Sequence, residues 1–342
     1  MKKDALVIGG GISGITVASE LAQTGHSALL IEKEAQLGGL ASVFCCKASE
    51  SCNKCFACVV DKRLAELSRY RSLSILTQTE LVDLQGGPGA YQGFLKNGKG
   101  RMKVEASAIV LATGIEPFDA TAKAEYGYGR FKNVITAKDL DEMLRFQGKL
   151  ERPSDRRVPK TIAFFQCVGS RDESIGNLYC SQVCCAYALR LIKAIRHQYP
   201  DTLVTFFYMD IQPAGASFER FLDACRKDPH LRFLRCLPSK VYHSPLTEGL
   251  RVRLIDPQKG EVLEEPFDLI VLSVGMVLGK GAKSLAQLFG LKLNEEGFLD
   301  PPPFQTGIFV AGACSGPKDI DRSILHSKSI AGKVEQYLKG RN

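Results

Sequence analysis

Val7-Ile8-Gly9-Gly10-Gly11-Ile12-Ser13-Gly14 is the stretch on which the fold of this chain turns. Ahead of the glycines, Asp4 to Ile8 reads as a short apolar strand. Behind them the apolar spacing predicts an amphipathic helix to about Thr24, with Gly25 placed to end it. A second strand, Ser27 to Ile31, finishes on Glu32. Strand, glycine loop, helix, strand and acid in this register form a dinucleotide-binding fingerprint. Gly9 permits the tight turn, Gly11 lets the backbone approach a pyrophosphate, and Gly14 lets helix and strand pack closely. Ile12 and Ser13 complete the loop, and Glu32, with Lys33 beside it, stands where adenosine ribose hydroxyls are bound.

Three further motifs follow in order: Leu37-Gly38-Gly39-Leu40, then Ile109-Val110-Leu111-Ala112-Thr113-Gly114, then Thr306-Gly307-Ile308-Phe309-Val310-Ala311-Gly312. They resemble the second pyrophosphate contact, the strand-ending signature and the flavin-closing motif of the glutathione-reductase class of flavoproteins. That resemblance implies FAD rather than NAD in this domain. The class places an aspartate after the last glycine to bind the ribityl chain, where this chain has Ala313, so ribityl hydroxyls would need backbone or water partners. Beyond it, Gly316-Pro317-Lys318-Asp319-Ile320 precedes a helix whose N-terminal amides would face the electron-rich end of an isoalloxazine. Lys318 and Asp319 read equally well as a solvated loop and a helix cap. Leu81, in the segment between the motifs, is counted with the cofactor contacts.

The 342 residues, 45% hydrophobic and 24% charged, suit two globular domains with a core each. Basic residues exceed acidic ones by 45 to 37, but the excess is spread along the chain and no basic block carries interleaved aromatics, which argues against nucleic acid. The longest apolar runs, such as Asp268 to Leu278, reach about half of the ~20 residues a membrane span requires. Met1-Lys2-Lys3 and the apolar residues behind it imitate a signal peptide, yet the stretch is short and runs into a folded loop, so a cytoplasmic chain is expected. In that compartment 12 cysteines read as metal ligands or redox groups rather than structural disulfides.

Leu73 to Leu84 and Tyr91 to Leu111 alternate as the strands of a small meander. A helix from about Thr136 to Phe146 and a Pro- and Arg-rich linker, Arg152 to Pro159, lead into a second strand-and-helix domain. This gives an α/β chain of two Rossmann-like domains in a thioredoxin-reductase or glutathione-reductase arrangement. Residues 1–121 and 278–342 would form the FAD domain, and 122–277 the second. In the second, strand Thr161 to Cys167 ends on Gln166-Cys167-Val168-Gly169-Ser170-Arg171, with one glycine where a pyrophosphate cradle wants three. Cys180, Cys184 and Cys185 follow on a helix expected from about Ser181 to His197, Cys180 and Cys184 on one face. With Cys167 these thiols suit a [4Fe-4S] cluster, or else are small buried core residues.

A second window holds Cys45, Cys46, Cys52, Cys55 and Cys58. Its Cys-x2-Cys-x2-Cys run resembles a ferredoxin start without the fourth cysteine, which Cys45 or Cys46 could supply. A cluster, zinc, redox thiols beside the flavin, and structural cysteines all remain open for it.

Phe165 to Asp172, Tyr179-Cys180-Ser181, Cys184-Cys185-Ala186-Tyr187, Phe207 to Ile211 and Ala311 to Asp319 resemble the A-type flavoprotein component of heterodisulfide reductase, so the likeness spans essentially the whole chain. It implies FAD in a thioredoxin-reductase-like core and a [4Fe-4S] cluster ligated by Cys167, Cys180, Cys184 and Cys185. Ala313 is usual in that family. Methanogen forms add an N-terminal domain and ferredoxin modules for which 342 residues leave no room. The size resembles the form in the heterodisulfide-reductase-like complex of sulfur oxidisers, and less closely the flavin subunit of quinone-interacting oxidoreductases. Methanogen forms also place a lysine near the flavin where this chain has Arg190, a permanently charged group expected to tune the flavin. The implied protein is an oxidoreductase component passing electrons between FAD and cluster, with B- and C-type iron-sulfur subunits as partners and a homodimer when isolated. A stand-alone NAD(P)H-dependent disulfide or sulfur reductase is the alternative, for which the second glycine loop is missing, and a colourless metal-binding interaction subunit is a third.

Overall fold

The computed structural model describes residues 1–212, 216–244 and 249–341. Along the chain run β1 (Lys2–Ile8), α1 (Ile12–Gln23), β2 (Ala28–Ile31), α2 (Ala57–Glu66), β3 (Leu73–Leu76), β4 (Glu80–Gly87), β5 (Ala90–Asn97), β6 (Gly100–Leu111) and β7 (Glu116–Pro117). The middle carries β8 (Val134–Thr136), α3 (Ala137–Gln147), β9 (Thr161–Val168), α4 (Cys184–Gln198), β10 (Leu203–Phe207), α5 (Ala216–Arg226), β11 (Leu231–Leu234), β12 (Lys240–His243), β13 (Leu250–Ile255), β14 (Val262–Phe267) and β15 (Leu269–Val274). The chain ends through β16 (Met276–Val277), α6 (Lys280–Leu288), β17 (Ile308–Val310) and α7 (Ile320–Lys339).

Two compact units result. One comprises Met1–Val43, Phe56–Glu116 and Val277–Asn342, the other Phe44–Cys55 and Pro117–Met276. The sequence places the boundaries at 121/122 and 277/278; the contacts place them at 116/117 and 276/277, and they also assign 44–55, inside the first unit by sequence, to the second.

In the first unit β3, β2, β1 and β6 lie parallel in that order, with β17 also parallel to β6. The long β6 continues into an antiparallel meander with β5 and β4. Residues 5–8 of β1, all of β2 and residues 108–111 of β6 are apolar and buried because helices cover them. Ile15, Val17, Ala18 and Leu21 of α1 and Ile330, Ala331 and Val334 of α7 pack with Ala5, Val7 and Val110 of the sheet in one core. The second unit has a five-stranded parallel sheet ordered β11-β10-β9-β15-β8 and a separate antiparallel sheet of β12, β13 and β14. Leu189, Ile192 and Ile195 of α4 bury against Phe164 and Phe206 of the parallel sheet. Helix α3 starts on a reciprocal cap between Thr136 and Asp139, which satisfies two otherwise orphaned amides. Both units therefore have the expected Rossmann-like plan.

Helices α2, α5 and α6 have no counterpart among the elements expected from sequence. Gly281 in the first turn of α6 weakens its helix signal. One expectation is corrected. The cysteine-bearing helix begins at Cys184, not at Ser181. Gln182 has φ +59°, outside any right-handed helix, and the fully buried Ser181 is tied sideways to Ser170 Oγ through its amide (3.1 Å) and hydroxyl (3.2 Å). Cys180 thus lies on the loop before the helix and shares no helical face with Cys184.

Among the described residues no helix is long and apolar enough to cross a membrane.

Candidate functional site

In the first unit the glycine loop connects β1 to α1, and its glycines are required by contact rather than by preference. A Cβ on Gly14 would stand 1.8 Å from the carbonyl oxygen of Gly9, and one on Gly9, at φ +108°, would stand 2.4 Å from that of Ala112. Gly11 differs: a Cβ there meets nothing nearer than the Gly39 Cα at 3.9 Å, so its face is open. The second glycine pair lies alongside, with Gly38 bridged to Gly11 and its amide donating to the Gly10 carbonyl at 2.8 Å. Glu32, 8% exposed, reaches back from the end of β2 and accepts from the amides of Gly10 (2.6 Å) and Glu34 (2.9 Å). The third motif arrives beside Ser13, because a Cβ on Gly312 would stand 1.9 Å from the Ser13 hydroxyl.

The structure therefore gathers Gly9, Gly11, Ser13, Gly14, Glu32, Gly38, Gly39, Ala112 and Gly312 around one open-faced cradle. Ile12 and Ala313 are buried at its edge, and Thr113 and Gly114 follow the end of β6. Asp319 caps α7, its carboxylate accepting from the Arg322 amide at 2.8 Å, and Ile320 opens that helix. Lys318 Nζ donates to Ser315 Oγ (3.0 Å) and the Gly316 carbonyl (3.3 Å), and burial pulls its pKa below the usual lysine value. Lys33 is exposed beside Glu34, at 3.8 Å, while Leu81 packs within the meander against Gly93. Sequence reading missed His326, whose Nδ1 accepts from the Gly312 amide at 3.0 Å. Nothing in the local pattern marks a mid-helix histidine until the Gly312 loop is placed above it.

In the second unit Cys167, the penultimate residue of β9, stands at φ +60°, and the loop after the strand brings Cys180, Cys184 and Cys185 into a pocket with it. Ser170, Arg171, Gln182, Asp210 and Gln212 complete the lining. Three of the seven described non-glycine residues at positive φ, Cys167, Arg171 and Gln182, surround this one pocket. Such costly backbone clusters at functional sites. The Gln182 amide donates to Cys180 Sγ at 3.3 Å. Burial pushes the Cys167 thiol up to about 12, the nearby Cys185 adding to the effect, and burial likewise raises Cys184 and Cys185. Crowded, dry thiols of this kind ionise readily only against a bound cation.

Among the described residues no three or more His, Cys, Asp or Glu side chains already close on a single metal ion. A tetrahedral zinc site would need its sulfurs roughly 3.8 Å apart, given Zn–S near 2.3 Å. A four-iron cluster takes each ligand sulfur on a different iron, and the four thiols lining this pocket would supply one for each. The donor set, all sulfur with backbone amides aimed at it, suits that group. At the end of β9, where a nucleotide pyrophosphate would lie, a Cβ on Gly169 would fall 2.0 Å from the Phe118 ring. The ring packs directly on this glycine.

The second cysteine window is divided. Cys45, Cys46, Cys52 and Cys55 belong to the second unit and Cys58, on α2, to the first. Cys46, Cys52 and Cys58 are exposed, and Cys45 is buried. What the sequence does not disclose is how this window is held. Lys47 is fully buried and pairs at 2.6 Å with Asp141 of α3, itself 0% exposed. The same carboxylate accepts from the Cys45 amide (2.7 Å) and the Tyr187 hydroxyl (2.7 Å), and Lys47 also donates to the Cys45 carbonyl (3.1 Å). Its ammonium lies 5.1 Å from the Tyr187 ring and 5.3 Å from that of Phe44. Arg145 fastens the Phe44 carbonyl at 2.8 Å, and Arg190 Nε the Asn53 carbonyl at 2.8 Å. Burial, then Asp141, pushes the Cys45 thiol up to about 12. Arg190, expected from sequence to act on a flavin, thus has a partner in the cysteine window.

Fold and cradle define the class first: this is a two-domain oxidoreductase architecture of the thioredoxin-reductase type, built for a dinucleotide. A family model described as an NAD(P)-binding Rossmann-like domain matches residues 7–45. Thioredoxin reductase of T. acidophilum superposes with a TM-score of 0.66 at 14% identity, over 99% of this chain and 98% of that one. Thioredoxin reductase of Lactococcus lactis does so at 0.66 and 16% identity, over 99% of both chains. The chain is 31% identical, over 98% of its own length, to an A-type iron-sulfur subunit of the CoB–CoM heterodisulfide reductase of Methanopyrus kandleri. It is 30% identical, over 96% of its own length, to the A-type subunit of the H(2):CoB-CoM heterodisulfide,ferredoxin reductase of Methanothermobacter marburgensis. Over nearly its whole length the chain is thus similar to one family, the A-type subunits of heterodisulfide reductase. It spans 64% and 63% of the lengths of those two relatives.

Proposed function

We propose that this chain is the FAD- and [4Fe-4S]-containing electron-transfer subunit of a heterodisulfide-reductase-like complex, acting in cytoplasmic sulfur oxidation beside B- and C-type iron-sulfur subunits and forming a homodimer when isolated. One observation carries the reading: four cysteines from a strand end, a loop and a helix start line one pocket, in the unit where β9 is followed by a single glycine packed under the Phe118 ring. The open face of Gly11 between two glycine loops supports FAD in the other unit. When bound, the flavin would supply both one- and two-electron exchange and the cluster single-electron transfer.

The chain's own residues set the conditions. The glycine loop and the N-terminus of α1 offer amides to a pyrophosphate, and Glu32, positioned by two amides, faces the same loop. Cys167, Cys180, Cys184 and Cys185 would hold the iron, and the Gln182 amide would bond a ligand sulfur.

Protein purified without oxygen is expected to carry FAD and about four irons per chain, and NADH is expected not to bleach the flavin. Iron-free protein whose flavin NADH bleaches rapidly would replace this reading with a stand-alone pyridine-nucleotide reductase. Gly11→Leu fills the open face of the cradle and is expected to abolish FAD uptake while leaving iron bound; undiminished flavin in that variant would remove the loop assignment.

A further inference from the structure

The lining of the cysteine pocket contains one residue pair that the ligand set does not use. Arg171 and Asp210 are joined by two parallel hydrogen bonds, Nη1 to Oδ1 and Nη2 to Oδ2, the second at 3.1 Å. Both line the pocket with the four sulfurs. Arg171 is fixed by its left-handed backbone, φ +57°, and by its amide bond to the Tyr179 carbonyl at 3.0 Å. Asp210 lies just past β10, its own backbone carbonyl 3.9 Å from Cys185 Sγ. On the far side Arg235 binds the Met209 carbonyl at 2.9 Å and adds a second positive charge near the carboxylate.

We propose that Arg171 and Asp210 form a charge-balancing pair that sets the reduction potential of an iron-sulfur cluster held by Cys167, Cys180, Cys184 and Cys185. The inference rests on the functional reading above. Reduction adds negative charge to the pocket, so a cation beside the sulfurs favours the reduced form and an anion opposes it. The two partners carry opposite charges and line the same pocket as the four sulfurs. As an ion pair they offset one another; apart, each would bias the site. An arginine suits the role because its charge is permanent and its fork fits the carboxylate in one orientation. Neither group donates an atom to the ligand set, so they are positioning residues.

The test is a redox titration, followed by electron paramagnetic resonance, of anaerobically purified full-length protein and four variants. Asp210→Asn leaves Arg171 uncompensated and should shift the cluster potential upward. Arg171→Met leaves Asp210 uncompensated and should shift it downward. The double variant should return close to the wild-type value, and Arg171→Lys, which keeps the charge without the fork, should move it less than Arg171→Met. Opposite signs in the two single variants separate this role from a structural one, because a loosened pocket would move both in the same direction. Iron retained with potentials unmoved, or moved the same way, overturns the inference and leaves the functional reading standing. Should Arg171→Met shed its iron, the Asp210→Asn and Arg171→Lys shifts decide. Wild-type protein without iron overturns the functional reading, and this inference falls with it.

Discussion

Lys47→Met is expected to lower the unfolding free energy by roughly 3–5 kcal/mol, the usual cost of removing one member of a buried ion pair. Asp141 is wholly inaccessible and spends its oxygens on Lys47, Tyr187 and the Cys45 amide. Without the ammonium its negative charge stays buried with only neutral donors. Methionine fills most of the lysine's volume, so the loss is electrostatic rather than a cavity effect. The double variant Lys47→Met/Asp141→Leu should recover much of it, since a packed apolar pair commonly matches a buried salt bridge. Denaturant midpoints measure both, and a single variant within about 1 kcal/mol of wild type would show that the pair is weakly coupled to the fold. Cys45 supplies a second readout. Its thiol is 8% exposed and held up near a pKa of about 12, so it should resist alkylation in the native protein. A loss of about 3 kcal/mol concentrated in this loop would raise its opened population by roughly 10²-fold, and alkylation of Cys45 with it.

Cys184→Ala is expected to abolish iron binding and the accompanying visible absorption while FAD stays bound. Cys184 is the first residue of α4 and 8% exposed, its Sγ lying 3.7 Å from the Val274 carbonyl. No water-borne ligand can reach so closed a position at little cost. The nearest carboxylate in the lining, Asp210, is already bonded by Arg171. The glycine cradle belongs to the other unit and is built of backbone contacts that the substitution does not touch. Iron and flavin analysis on the same sample decides, and full iron retention would remove Cys184 from the ligand set.

What could be read before folding follows from what kind of information each feature uses. The cradle was legible because its demands fall on residue type: at Gly14 a single carbon would sit 1.8 Å from an oxygen, so nothing but glycine serves. The cysteine pocket was legible through rare residues at strand and helix ends. The start of α4 was not, because a positive φ at Gln182 carries no composition signal. Lys47 and Asp141 were invisible for a different reason: charged residues ordinarily face water, and only their meeting across nearly a hundred positions makes burial tolerable. The same holds for Arg190, whose partner Asn53 lies far upstream.

The path of the chain has a bearing on how this protein must be made and dissected. Residues 44–55 leave the first unit, join the second and hand the chain back, so neither unit is an unbroken stretch of sequence. During synthesis the Lys47 segment emerges well before Asp141, and its partners are complete only once Tyr187 and Arg190 of α4 have been translated, which makes late closure the expected order. A fragment cut at 117 and 276 would carry all four pocket cysteines yet strand Asp141 without its counterion, and any attempt to study the iron site in isolation would need those twelve residues grafted back.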